Sequence, residues 1–234
     1  MRRVIQCLLL AALFLTAAAP AFCDKADAYY AQGWAKFARN DFKGAIADLT
    51  KAIKQRDDFV DAYLLRATAE QTIGEIDLAG EDLNKAIQLK PENSKAYMTR
   101  GMMKAKEHDI KGAIEDFEQA IRVDPNNALC YVARGVMRRD VGDTDGAIAD
   151  YFNATRLEPG KVSQFGGELA LAFYNRGSAR LAKGENDGAT ADFTLAIQLK
   201  PNYAAAYAGR GNAKQAKGDV DGAHADLARA AALR

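Results

Sequence analysis

The sequence predicts an all-α solenoid of paired short helices, and three observations support that fold class. First, similar segments of 34 residues follow one another in the 234-residue chain, beginning at Ala26, Val60, Ser94, Ala128, Ala170 and Ala204. Second, small and bulky apolar residues recur inside each segment at the spacing of one helix face. Third, alanine is abundant and there are only 5 prolines, which favours helix over strand. Helices of about 13 residues are marginal alone, so stacked neighbours must supply the core.

Each repeat carries the same arrangement of side chains, with positions counted from its first residue. Position 4 is aromatic and position 8 is glycine or alanine, so a second helix can approach closely one turn beyond the ring. Positions 20 and 27 are always alanine, and a bulky residue at position 24 lies between them on the same helical face. Prolines mark the link to the next repeat at Pro91, Pro125, Pro159 and Pro201. Two helices per repeat therefore follow, joined by a turn at positions 15 and 16.

This arrangement resembles the tetratricopeptide repeat family, whose pattern is W-x2-L-G-x2-Y, then A-x3-F, then P, on a 34-residue period. The resemblance covers residues 26–234 in six copies, which are 26–59, 60–93, 94–127, 128–161, 170–203 and 204–234. It implies a right-handed superhelical solenoid of helix-turn-helix repeats. It also implies that the first helix of each repeat lines a concave groove and that the partner is a protein or peptide.

Position 7 departs from the family pattern, because five repeats have arginine there in place of leucine. Position 23, on the packing face of the second helix, is aspartate in every repeat. A repeated ion pair between the two helices would satisfy charges that close packing half-buries. The expected pairs join Arg66, Arg100, Arg134, Arg176 and Arg210 to Asp82, Asp116, Asp150, Asp192 and Asp226. The alternative is an anion-binding row of arginines, which the matched aspartates would cancel.

Positions 2, 5, 9 and 12 share one side of the first helix and define what we call the first-helix surface. This row is unusually apolar for an exposed face, and exposed apolar patches usually mark partner sites. Methionine in it suits adaptable recognition. The candidate partner-binding residues are Tyr30, Trp34, Phe37, Leu64, Met98, Met102, Val132, Val136, Arg139, Tyr174 and Leu181. The alternative is that superhelical curvature buries these side chains against one another.

An eight-residue insertion, Val162–Leu169, separates the fourth and fifth repeats. It contains Gly166 and Gly167, which are expected to break helix continuity. The segment is therefore predicted to be a surface loop, a hinge between a four-repeat and a two-repeat block, or a segment that leans into the groove.

The first residues have the layout of a secretory signal peptide. Arg2 and Arg3 precede a short apolar run from Cys7 to Ala19, and small residues follow it. The run of about 13 residues is shorter than the ~20 needed to span a bilayer as a helix. Residues 1–21 are thus predicted to direct export to the periplasm or the medium, with cleavage after residue 21 or 23. The alternative is an uncleaved N-terminal membrane anchor.

The sequence offers no constellation for chemistry. A net charge of +1 gives no footprint for nucleic acid or an anionic membrane. His108 occupies a turn position, and we find no metal-ligand spacing, no phosphate-binding loop and no cofactor motif. The prediction is therefore that the protein has no metal, no cofactor and no catalytic residues.

Three functions follow in order of preference. The first is an exported adaptor or scaffold that binds a peptide or protein segment in its apolar groove. The second is a structural assembly subunit of an envelope or secretion machine that contacts partners by its edges, and an enzyme is the remote third. Weak self-association through a C-terminal apolar edge that contains Leu227, Ala231 and Leu233 is a further expectation.

Overall fold

The computed structural model describes residues 24–233, without the side chains of residues 162–164. The predicted signal peptide at 1–21 therefore lies outside the described residues. Between 24 and 233 the chain forms twelve α-helices and no strands. The helices are α1 Lys25–Phe37, α2 Phe42–Gln55, α3 Val60–Ile73, α4 Ile76–Leu89, α5 Ser94–Lys106, α6 Ile110–Val123, α7 Ala128–Asp140, α8 Thr144–Leu157, α9 Val162–Ala182, α10 Asn186–Leu199, α11 Ala204–Ala216 and α12 Val220–Ala232. A short 3-10 helix, Pro159–Lys161, precedes α9.

The chain divides into two compact units between Glu107 and His108, inside the third repeat. The first unit holds α1 to α5 and the second holds α6 to α12. Within each unit every helix packs on its neighbours in chain order. First helices of adjacent repeats are also in contact. Helix α3 contacts α1 and α5, and α9 contacts α7 and α11. This pattern of sequential and next-but-one contacts is that of an all-α helical repeat array.

Alanine positions 20 and 27 let the paired helices pack closely around the bulky residue of position 24. Ala147 and Ala154 are fully buried in the fourth repeat, with Tyr151 between them. The ring of Tyr151 lies against Gly135 of the first helix, where an added Cβ would stand 2.9 Å from Cε1 of the ring. The glycine at position 8 therefore makes room for the ring, as the sequence pattern predicts.

Glycine at position 19 has a structural role that the sequence did not reveal. In four repeats the aspartate at position 16 caps the second helix by accepting a hydrogen bond from the backbone N–H of position 19, as Asp41 does from Gly44 at 2.9 Å. A Cβ on Gly44 would overlap with the Asp41 carboxylate. Position 15 adopts a left-handed conformation before the cap, with φ of 62° at Asn40 and 63° at His108. His108 is thus a turn residue, as predicted.

The insertion corrects one prediction, because α9 is continuous from Val162 through both glycines to Ala182. The segment is a helical extension and neither a loop nor a flexible hinge. Phe165 and Leu169 lie one turn apart and are both buried, Phe165 against Ala128 and Ala154. Burying two large side chains contributes about 1.5–3 kcal/mol each, which outweighs a propensity cost of about 1 kcal/mol per glycine.

Alanine in place of a helical glycine should raise stability where the glycine is exposed and lower it where the glycine faces an aromatic ring. Nothing lies within 4 Å of a Cβ built on exposed Gly167, so Gly167→Ala is expected to raise the free energy of unfolding by about 0.5–1 kcal/mol. Gly135→Ala is the matched control and should lower it by about 1–3 kcal/mol, since the new methyl meets Tyr151. Urea unfolding followed by circular dichroism at 222 nm measures both. A loss of stability in Gly167→Ala would contradict the helical extension.

Candidate functional site

In four of the five predicted arginine–aspartate pairs, both residues belong to the same unit, and all four pairs are bidentate. Arg66 donates from Nε and Nη2 to the Asp82 carboxylate at 2.7 and 2.6 Å. Arg134 and Asp150 form the same pair at 3.0 and 2.6 Å. The remaining two pairs are Arg176 with Asp192 at 3.0 and 2.8 Å, and Arg210 with Asp226 at 2.8 and 2.7 Å. Because Arg100 and Asp116 belong to different units, their pairing stays a prediction.

The same guanidinium groups also reach the preceding repeat. Nη1 of Arg66 donates to the Thr50 hydroxyl at 2.9 Å, and Nη1 of Arg100 donates to the Asn84 amide oxygen at 2.6 Å. Both acceptors occupy position 25, which is 16 residues before the arginine. Each position-7 arginine also lies 5.4–5.8 Å from the centroid of the position-4 ring of its own helix. Each position-7 arginine therefore links the two helices of its own repeat or contacts the preceding repeat.

A second base at position 11 completes the cluster in several repeats. Arg138 donates to Asp150 at 3.0 Å, and Lys214 lies 2.9 Å from Asp226. In the first repeat, which has Gln32 at position 7, Lys36 and Lys51 pair with buried Asp48 at 2.6 and 2.9 Å. Burial alone would raise the pKa of Asp48, but the hydrogen bonds from the two lysines outweigh it and the pKa is lowered.

The second repeat is the exception, because position 11 is Glu70. Its side chain is buried, with Oε1 at 3.6 Å from Nε of Arg66. Oε2 has no hydrogen-bond partner among the described residues. Burial, followed by the nearby negative charge of Asp82, raises the pKa of Glu70 to about 7. Once Glu70 ionises, the cluster of Arg66, Asp82 and Glu70 therefore carries two negative charges and one positive charge.

The first-helix surface of the first unit is apolar and partly open. Trp34 of α1 is 47% exposed and Met102 of α5 is 49% exposed. Other candidates on α1 are half-buried, since Tyr30 packs on Phe59 with ring centroids 4.9 Å apart and Phe37 packs on Phe42. Met98 of α5 is also half-buried. Position 9 of the first and third repeats therefore gives the most accessible apolar side chains of the first-helix surface in this unit.

The prediction that Leu64 contacts a partner is wrong, because Leu64 is only 4% exposed and belongs to the core. The reason is that α3 packs between α1 and α5, so position 5 of the middle repeat is covered from both sides. The expectation that curvature buries some of these side chains therefore holds at this position. Leu64 is a packing residue and is not available to a partner.

In the second unit the fourth and fifth repeats differ. Val132 and Val136 of α7 are half-buried against the core, and Val132 packs beside Phe165 of the α9 extension. Arg139 is paired with Asp140 at 3.1 Å and with Glu168 of the same extension. The extension therefore covers candidate residues of the fourth repeat with a segment of the chain itself.

The fifth and sixth repeats form an open cleft of about 490 Å³ between α9 and α11. Two predicted residues, Tyr174 and Leu181, line it from α9. Ala208 and Asn212 line it from α11 at positions 5 and 9 of the sixth repeat. These last two residues were not among the predicted partner-binding residues, although they occupy the same repeat positions.

Among residues 24–233, no group of three or more histidine, cysteine, aspartate or glutamate side chains is placed to hold a metal ion. Cys130 is buried. Every helix in this part of the chain is too short or too polar to cross a bilayer.

Comparison with protein families identifies the repeats. Models described as tetratricopeptide repeat match residues 30–94 and 100–161 in one case and residues 170–203 in another. The chain belongs to the tetratricopeptide repeat family. Comparison with curated proteins finds no match.

Solved structures with the same fold include tetratricopeptide repeat proteins from bacteria. YrrB, described as having an unusual peptide-binding site, aligns over 80% of this chain and 92% of its own at 20% identity, with a TM-score of 0.62. MamA from Desulfovibrio magneticus RS-1 aligns over 78% and 99% at 18% identity, with a TM-score of 0.61. PilF from Pseudomonas aeruginosa aligns over 86% and 88% at 19% identity, with a TM-score of 0.59. These similarities show the fold, an all-α tetratricopeptide repeat solenoid.

Proposed function

We propose that the protein is an exported adaptor that binds a segment of a partner protein on its first-helix surface. The observation that carries this proposal is the exposure of Trp34 and Met102 on first helices of the same unit. Tryptophan and methionine are enriched in the buried centres of protein interfaces. The peptide-binding description of YrrB, a protein of the same fold, supports the proposal.

Export is the second part of the proposal and rests on the composition of residues 1–21. A basic start, a short apolar run and small residues before the predicted cleavage point support it. Intact-mass measurement of the protein purified from its native cells checks this part. A mature chain that begins at residue 22 or 24 is expected, and a chain that retains Arg2 and Arg3 in the cytosol would contradict export.

Binding is tested by replacing Trp34 or Met102 of the full chain with a photo-crosslinking amino acid in the native cells. Position 78 is the control, because Leu78 is 48% exposed in the same unit but lies on the second helix α4. We expect one partner, identified by mass spectrometry, to be cross-linked when the probe replaces Trp34 or Met102 and not when it replaces Leu78. Met102→Glu should then weaken binding of the purified partner at least about tenfold, because a charge is buried without a counterion.

Leu78→Glu is the matched charge control and should leave both affinity and helicity unchanged. Leu78 and Phe152 are exposed apolar residues on second helices, which is the observation in favour of the alternative function. Adducts formed from position 78, with binding lost in Leu78→Glu and kept in Met102→Glu, would reject the adaptor proposal. That result would favour an assembly subunit that uses its second-helix surfaces.

A further inference from the structure

The cleft between the fifth and sixth repeats has one aromatic wall, which packs on a fully buried aromatic ring, that of Phe193. The ring of Phe193 lies beneath α11, where a Cβ on Gly209 would stand only 2.6 Å from Cε1 and Cζ. Tyr174 forms a wall, with its ring centroid 5.8 Å from that of Phe193 and 5.2 Å from that of Tyr203. These ring contacts fix the wall in place, so a ligand would meet a surface that is already ordered.

The opposite wall is made of small residues, and this asymmetry creates the space. Ala208 and Gly209 of α11 face the aromatic wall across a volume of about 490 Å³. Ligand sites are roughly 300–1,000 Å³ in size, and rings prefer offset or edge contacts with other rings. An incoming aromatic side chain therefore finds both room and the ring of Tyr174 to contact.

The rim is polar but uncharged. Ser178 and Asn212 occupy position 9 of the fifth and sixth repeats and line the two sides of the cleft. A hydroxyl and an amide can donate to and accept from a peptide backbone. None of the described side chains that line the cleft is charged. A charged side chain would lose its hydration in the cleft without meeting a counterion, so the cleft selects against it.

We infer that this cleft accepts an uncharged aromatic side chain from an extended segment of the partner protein. This inference rests on the proposed function and names the chemistry that the partner must carry. Tyr174, which is half-buried, contacts the incoming ring, and Ser178 and Asn212 hydrogen-bond to the backbone on either side of it. The cleft thus acts as a specificity pocket, separate from the exposed residues of the first unit.

A random linear heptapeptide library displayed on phage provides the test, with the full-length chain immobilised as the target. We expect the selected peptides to share an aromatic residue with no charged neighbour. Affinities of the synthetic peptides are then measured by fluorescence anisotropy. Replacing the shared aromatic residue with glutamate should weaken binding at least about tenfold.

Two variants of the protein locate the site. Ala208→Trp fills the cleft, and Asn212→Asp adds a charge at its rim on an exposed side chain, which keeps the fold. Each should weaken binding at least about tenfold, whereas Ala225→Trp, on the exposed side of α12, should not. Peptides that bind all three variants equally, yet are lost in Met102→Glu, would overturn the cleft assignment and leave the adaptor function standing. Failure to select any peptide would count against both.

Discussion

Replacing Asp150 with alanine is expected to lower the free energy of unfolding by about 3–5 kcal/mol near neutral pH. Its carboxylate is 1% exposed and accepts hydrogen bonds from Arg134 and Arg138. Without it, two partly buried guanidinium groups keep only the more exposed carboxylates of Glu118 and Asp143, at 3.2–3.8 Å. The penalty of leaving them so exceeds the value of the pair itself. The shift of the urea midpoint, followed by circular dichroism at 222 nm, measures the loss.

Asp145→Ala is the matched control for this substitution. Asp145 also pairs with an arginine, Arg176, at 2.7 Å, but its side chain is 80% exposed. An exposed pair contributes about 0–1 kcal/mol, so the loss should be small. Equal losses in Asp150→Ala and Asp145→Ala would show that burial of the arginine–aspartate clusters has no energetic consequence.

Glu70 is expected to make the protein less stable as the pH rises from about 4.5 to about 7. The pKa of Glu70 is about 7 in the folded chain against its ordinary value of 4.5. Between these values the folded state binds more protons than the unfolded state, so stability falls with rising pH. The contribution is fully present below pH 4.5 and lost above pH 7, and the shift corresponds to about 1–3 kcal/mol.

Glu70→Gln isolates this contribution, since glutamine keeps the size of the side chain and cannot ionise. The difference in unfolding free energy between the variant and the wild type should grow from near zero at pH 4.5 to about 1–3 kcal/mol in favour of the variant at pH 8. Glu81→Gln is the control, because Glu81 is an exposed glutamate on α4 of the same repeat. A flat difference across this pH range for Glu70→Gln would show that Glu70 is not held in a raised-pKa environment.

The period of 34 residues was enough to predict the helices, their pairing and the residues between them. A residue type that recurs at the same position of several repeats must serve the fold, whatever its local surroundings. The alanines at repeat positions 20 and 27 and the arginine–aspartate pattern could therefore be interpreted from the sequence. Glu70 shows the converse. It stands where the other repeats have a base, and only the geometry showed that this difference leaves a buried acid beside Asp82.

Predictions from local propensity were less reliable than those from the repeat. Two adjacent glycines predicted a break, but α9 continues because Phe165 and Leu169 are buried against neighbouring helices. Exposure of single side chains also depended on packing. Leu64 and Trp34 both lie on the first-helix surface, and only contacts from α1 and α5 bury Leu64. Such differences arise from tertiary contacts, which a sequence pattern does not contain.

The arginine contacts restrict how a chain of this kind can change in length. Arg66, Arg134 and Arg210 each pair with a carboxylate 16 residues later, and each also reaches a residue 16 positions earlier. Gain or loss of one whole 34-residue module would keep each of these partners in place. A change of any other size between two repeats would keep the arginine–aspartate pair inside each repeat, but it would move the residue that the arginine reaches in the preceding repeat. With the spacing of 42 residues before the fifth repeat, Arg176 keeps its pair with Asp192, and its Nη1 donates to Asp145, 31 residues earlier.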